Sequence, residues 1–286
     1  MPTTGFAPEA NSFSIHYITI VNYEYICSAV QQIARKAGHF IAEERKNFSR
    51  EAVEIKGQSD FVSYVDKKSE EMIVAALKLL LPGSGFITEE GTAGQSGEKY
   101  LWIIDPLDGT TNFIHGMPPY AVSIALMEDK ELVAGVVYEV TNDECFYAWK
   151  GGKAWLNGQP IRVTEAATSK DTLIATGFPY YDFGRMDAYI ATLRYFMQNS
   201  HGLRRIGSAA TDMAYLAAGR FDGFWELGLH AWDIAAGAVI VREAGGKVSD
   251  FSGGDNFLFS GELVASNSNF FNEFQQVIER NFVKAN

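Results

Sequence analysis

The stretch that most limits what this chain can become is WIIDPLDGTTNFIHG, residues 102–116. An apolar run reads as a buried strand and ends in Asp105; Pro106 follows, and a second aspartate stands at 108. Carboxylates are costly to bury and repel each other unless positive charge lies between them. Pro106 fixes the backbone just beyond the strand, so both carboxylates and the Leu107 carbonyl can converge on one point. That is an oxygen set suited to a hard cation such as Mg2+. Gly109 allows close backbone approach, and Thr110-Thr111 can begin a helical turn whose free N–H groups and hydroxyl suit a phosphate. A turn capped by aspartate explains the same residues without any ligand. On this stretch alone, both readings stand.

Three more acidic stretches bear on the choice. FITEEGTAG puts Glu89 and Glu90 directly after a second short strand, where solvated loop charges are the simple reading. In GLHAWDIAAG, Asp233 precedes a small-residue helix, and in SDFVSYVDKKSE, Asp66 stands at a helix start; each reads most simply as an N-cap.

Charge narrows the partners. With 24 Lys+Arg against 35 Asp+Glu the net charge is -11, which disfavours a protein held to nucleic acid by phosphate contacts. Cys27 and Cys145 offer neither a disulfide framework nor a metal spacing, so a reducing cytoplasm is expected. No apolar run reaches a membrane span, and the first residues lack the pattern of a signal peptide.

Periodicity predicts helices over about 22–47 and 66–81, the second stopped by Pro82-Gly83, with a hairpin-like piece between them. Short strands are expected at 86–88 and 101–105, then at 120–127 and 132–140, followed by a hairpin in GGKAWLNGQP. Later helices (about 185–198, 208–218, 233–244) alternate with strands (172–176, 221–226, 262–265), and a helix over about 268–283 closes the chain. Interleaving of this kind predicts a layered α/β architecture. Residues 1–21 read as a loosely ordered extension. Residues 22–286 read as one domain of two packed lobes, about 22–150 and 151–286.

WIIDPLDGTTNF fits the pattern D-P-[ILV]-D-G-T-x-N-F, HAWDIAAG fits W-D-x-A-A-G, and TEEG lies upstream. With these three motifs the chain resembles the inositol monophosphatase family of Mg2+-dependent, lithium-sensitive sugar-phosphate phosphatases, over roughly residues 22–283. The resemblance implies an αβαβα sandwich, a homodimer and a cytoplasmic location. It implies two or three Mg2+ ions, held by Glu89, Asp105, the Leu107 carbonyl, Asp108 and Asp233. Catalytic roles pass to Glu89 and Thr110, which orient the attacking water, and to Asp66, which hydrogen-bonds Thr110. Asp108, Gly109, Thr110, Gly207, Ser208, Ala209, Glu226 and Asp233 are implied to contact substrate. Ser208 stands where a threonine is often found, and Lys56 falls on the loop that the family closes over its site.

The activity so implied is hydrolysis of inositol 1-phosphate, or a similar polyol or sugar monophosphate, by direct attack of a metal-activated water. A phospho-aspartate route would call for D-x-D-x-T/V, which is absent. The alternatives are a fructose-1,6-bisphosphatase, a 3′(2′),5′-bisphosphate nucleotidase, or a non-catalytic protein-binding relative. Nucleotidase relatives tend to read D-G-T-K-E-F where this chain has DGTTNF, and a non-catalytic relative is expected to lose a metal carboxylate. Arg204 and Arg205 are the basic residues that would reach a second phosphate; as surface charges they would leave a single-phosphate substrate. His230, beside Trp232, reads as structural.

Overall fold

The computed structural model describes residues 21–47, 53–55, 61–94, 99–179 and 182–283. The expected extension, up to residue 20, and Lys56 lie outside the described residues.

The described chain opens with α1 (Tyr23–Asn47), an antiparallel pair β1 (Val53–Ile55) and β2 (Phe61–Ser63), and α2 (Tyr64–Leu80). Next come β3 (Gly85–Thr88), β4 (Tyr100–Asp108), α3 (Thr110–His115), β5 (Ala121–Glu128) and β6 (Glu131–Glu139). Strands β7 (Glu144–Trp149), β8 (Ala154–Leu156) and β9 (Gln159–Ile161) complete a seven-stranded sheet in sequence order, parallel only between β3 and β4. The rest of the chain runs β10 (Leu173–Thr176), α4 (Met186–Asn199), β11 (Gly202–Arg204), α5 (Ala209–Ala217), β12 (Gly223–Leu227) and α6 (Ala231–Glu243). It ends with β13 (Gly246–Ser249), α7 (Phe257–Ser260), β14 (Glu262–Asn267) and α8 (Phe271–Phe282). These later strands form a second sheet, ordered β11-β10-β12-β14-β13.

The layers follow from which faces are apolar. α1 and α2 pack on one face of the larger sheet, α5 and α6 fill the space between the sheets, and α4 and α8 cover the far face of the smaller one. The result is the αβαβα sandwich expected from the sequence. Three cores hold it. Ile26 and Ile41 of α1 meet Trp102, Ile104 and Val122 of the sheet. Ile234 and Val239 of α6 and Met213 of α5 meet Ile103 on one side and Phe224 on the other. Phe196 and Phe274 close on Trp225 at the outer face. α6 lies between two sheets, so its residues Ile234 to Val241 are buried all round and it has no polar face.

The sequence ends its strand at Asp105, but β4 continues to Asp108 through a register shift. Asp105 pairs with Ser123 and Asp108 with Ala121, so Pro106 and Leu107 together oppose Val122 alone. This is a β-bulge, and proline, with no N–H to give the ladder, is tolerated at one. Alternation then fixes direction. Trp102 and Ile104 face α1, and Ile103 faces α6. Asp105 continues on the Ile103 side, and the extra residue returns Asp108 to that side while Leu107 stays in the outer core.

Gly135 on β6 sets how closely α6 approaches. A Cβ there would lie 2.5 Å from the Ala236 carbonyl oxygen and 2.9 Å from its Cα. Gly135→Ala must therefore push α6 off the sheet, at a cost of about 1–3 kcal/mol in denaturant unfolding. The same shift moves Asp233 in the first turn of α6, so activity should fall along with stability. A variant as stable and active as the parent would show that α6 moves freely.

Candidate functional site

A cleft of about 310 Å³ opens where the end of β4, the first turn of α6 and the start of α5 meet. Asp105, Asp108 and Asp233 each turn a carboxylate oxygen into it, and these three atoms lie within 4.8 Å of one another. Asp105 is 2% exposed. Its carboxyl is pushed well above the usual range by burial and by the charges of Glu89, Asp108 and Asp233, against one N–H bond from Leu107 at 2.9 Å. Asp233 is raised in the same direction, first by burial and then by Asp108, although the His230 N–H donates to it at 2.7 Å. Asp108 is raised to about 6 by burial, with Ser208 and backbone N–H groups pulling the other way. Three carboxylates this close disfavour joint ionisation unless a cation lies between them.

The cleft wall is tied down from both sheets. Asp108 Oδ2 accepts from the Ser208 hydroxyl at 2.5 Å and the Ala210 N–H at 2.7 Å, which fixes the start of α5 against the end of β4. Ser208 also caps α5 by accepting from the Thr211 N–H. Asn112, the asparagine of the GTTNF stretch, donates to the carbonyls of Pro119 and Ile206, each at 2.8 Å. It thereby fixes the backbone leading into Gly207 and Ser208, a role the sequence reading missed. Gly109 has φ 88°, and a Cβ on it would meet the Pro119 carbonyl oxygen at 3.0 Å, so glycine is required twice over.

Of the other expected residues, Glu89, Leu107, Gly109, Thr110, Gly207, Ser208, Ala209 and Glu226 all line this cleft. Glu89 stands outside the group within 4.8 Å, yet its charge raises both Asp105 and Asp233. The Thr110 hydroxyl donates to the Leu107 carbonyl at 3.0 Å. Asp66 is buried at the start of α2 and is not among the residues lining the cleft. His230 precedes α6, its ring stacks on Trp232 at 4.5 Å, and both residues line the cleft.

At the far end of the cleft, Glu226 on β12 is raised to about 8 by burial and by Asp108, with Arg205 opposing. Asp212 on α5 lines the cleft too and was absent from the sequence reading. It is buried and likewise raised, and its Oδ1 has no hydrogen-bond partner among the described residues. Arg205 lies over the Phe178 ring at 5.5 Å and lines the cleft, whereas Arg204 is exposed and bonds the Leu203 carbonyl. Gly177 leaves no room for a side chain. A Cβ on it would fall 1.7 Å from Glu226 Oε1, so the carboxyl occupies that space.

The sequence profile of the inositol monophosphatase family matches residues 22–282, from the start of α1 to the end of α8. The chain belongs to the inositol monophosphatase family. Among family members, a protein of Mesorhizobium japonicum named inositol-1-monophosphatase is 44% identical over 261 residues, 91% of this chain and 95% of its own. An Escherichia coli protein named Nus factor SuhB is 45% identical over 238 residues, 82% of this chain and 88% of its own. The crystal structure of the extragenic suppressor protein suhB from Bartonella henselae superposes with a TM-score of 0.84 at 40% identity, covering 90% of this chain and 99% of that one. No described helix is long and apolar enough to cross a membrane.

The far end of this inositol monophosphatase cleft carries a pH signature. Between about 4.5, the ordinary value, and about 8, folded Glu226 keeps a proton that the unfolded chain has released. Its contribution to stability therefore falls as pH rises through that window. In chelator, Glu226→Gln should unfold at a higher temperature than the parent at pH 8, and the gap should close toward pH 4.5. A gap that does not change with pH would show that Glu226 ionises normally.

Proposed function

We propose that this chain is a Mg2+-dependent phosphomonoesterase acting on inositol 1-phosphate or a similar polyol monophosphate. The observation that carries the proposal is the convergence of Asp105, Asp108 and Asp233 on one point in a cleft. The donor set fits the ion: hard carboxylate oxygens, too close to be ionised together without a cation. Glu89, Asp105, the Leu107 carbonyl, Asp108 and Asp233 would hold two or three ions. When bound, Mg2+ supplies positive charge to a phosphate dianion and acidity to a water.

The protein's own groups do the rest. The Thr110 hydroxyl donates its hydrogen bond to the Leu107 carbonyl, so the lone pairs of Oγ1 are left to accept a hydrogen bond from water and orient it. Glu89, on the same cleft, takes part in orienting that water. The N–H groups of Gly109 and Thr110 and the Gly207–Ala209 segment bind the phosphate and the near part of the alcohol. In the same cleft Glu226, raised to about 8, keeps a proton at neutral pH, Asp212 is raised in the same direction by burial, and a carboxylic acid both donates to and accepts from a hydroxyl. The positive charge of Arg205 works against the rise of both. That balance favours a ring or chain of hydroxyls over a second phosphate.

The relatives named Nus factor SuhB prompt a second reading, a factor that works by binding another protein. The complete set of aspartates favours catalysis. A homodimer and a cytoplasmic location accompany the proposed enzyme, and light scattering of the purified chain tests the first.

EDTA should abolish phosphate release and Mg2+ restore it. Asp105→Asn should fold but lose activity by about a hundredfold or more. Full activity in that variant would sink the metal assignment. In Mg2+, kcat/KM for inositol 1-phosphate should exceed that for fructose 1,6-bisphosphate and adenosine 3′,5′-bisphosphate. A tenfold lead for either bisphosphate would reverse the substrate assignment and turn attention to Arg205.

A further inference from the structure

We propose that Glu70, a residue with no role in the chemistry, positions the metal site by holding the loop that carries Glu89 in place. The inference rests on the reading of Glu89 as a metal ligand.

Glu70 lies on α2, one turn after Asp66, and is fully buried among residues such as Ile73 and Leu77. A carboxylate in that setting is costly unless its oxygens are satisfied. Among the described residues it has no ion pair with Lys or Arg. Its hydrogen-bond partners among the described residues all come from one short loop. Oε2 accepts from the Glu90 N–H at 2.8 Å, and Oε1 accepts from the Thr92 N–H at 2.8 Å and the Thr92 hydroxyl at 2.7 Å. Gly91 makes this possible: its φ of 68° turns the backbone so that the N–H groups on either side of it reach the same carboxylate. A Cβ there would touch nothing, so the requirement is one of conformation and not of space.

The consequence falls on Glu89. On one side of it, Thr88 is paired with Ile104, the residue before Asp105. On the other side, Glu90 is bonded to Glu70. Glu89 is the single residue between a sheet ladder and a buried clamp, so its side chain starts from a fixed backbone beside the aspartates. Groups that orient a ligand in this way affect metal affinity without touching the ion.

Glu70→Gln keeps the shape but replaces one acceptor oxygen with an amide NH2, which then faces an N–H. Binding of Mn2+, read from the electron paramagnetic resonance signal of the free ion, should weaken by about tenfold. The Mg2+ concentration for half-maximal activity should rise by a similar factor, with kcat at saturating Mg2+ little changed. Thr92 is exposed, so its variants are tolerated by the fold whatever happens to Glu70→Gln. Thr92→Val, which removes one of three donors, should weaken Mn2+ binding by about threefold, and Thr92→Ser should restore it. A residue that served only to stabilise α2 would lower the unfolding temperature and leave Mn2+ affinity alone. Mn2+ affinity within twofold of the parent in Thr92→Val, or in a folded Glu70→Gln, overturns the proposal. Absence of Mn2+ binding by the parent chain would instead overturn the metal reading on which it rests.

Discussion

Asp105 and Asp108 stand three residues apart on one strand, and a regular strand would send them to opposite faces. The bulge at Pro106-Leu107 removes that conflict by inserting one residue without a pairing partner. Everything else in the site is arranged around the resulting pair. The side they share faces α6, which brings Asp233; the register between β4 and β5 resumes at Asp108, whose Oδ2 anchors the start of α5. A proline that would weaken an ordinary central strand is here what makes the strand useful.

The five layers serve the same geometry. A helix confined between two sheets cannot tilt without disturbing both, and α6 meets the larger sheet with no side chain between it and Gly135. Its first turn is fixed further by the Ser123 hydroxyl, which donates to the Trp232 carbonyl at 3.2 Å. Mutually repelling carboxylates need supports of this stiffness, because the local chain would otherwise relax to separate them. Burial first, and the charges of the neighbouring carboxylates second, push Asp105 and Asp233 above the usual carboxylate range.

The parts legible in the sequence were those with a local cause. Long amphipathic helices such as α1 and α2 follow from periodicity, and the Asp-Pro-Leu-Asp-Gly stretch marks its two carboxylates as a converging pair within a few residues. What escaped depends on distant neighbours. Strand β11 is three residues long and is a strand only because β10 lies beside it. The start of α8 is set at Phe271, later than its apolar pattern suggested, because Asn267 Oδ1 binds the N–H groups of Asn269 and Phe270. Asn112 spans ninety-four residues to reach Ile206, and Glu70 twenty to reach Glu90. Nothing in the immediate sequence marks either partner, although the spacing of Asp66 and Glu70 on one face of α2 is a faint local sign.

Gly177 and Glu226 share one small volume, and this bears on how the specificity of such a pocket can drift. No side chain at 177 fits while the carboxyl of 226 stays where it is. A change that begins at position 177 has to displace the acid from this corner. The open path begins at 226, where a shorter residue vacates the space and only then frees its neighbour to change. In the proposed enzyme, positions 177 and 226 would act on substrate range as a pair, and a library aimed at new specificities would have to vary both codons together.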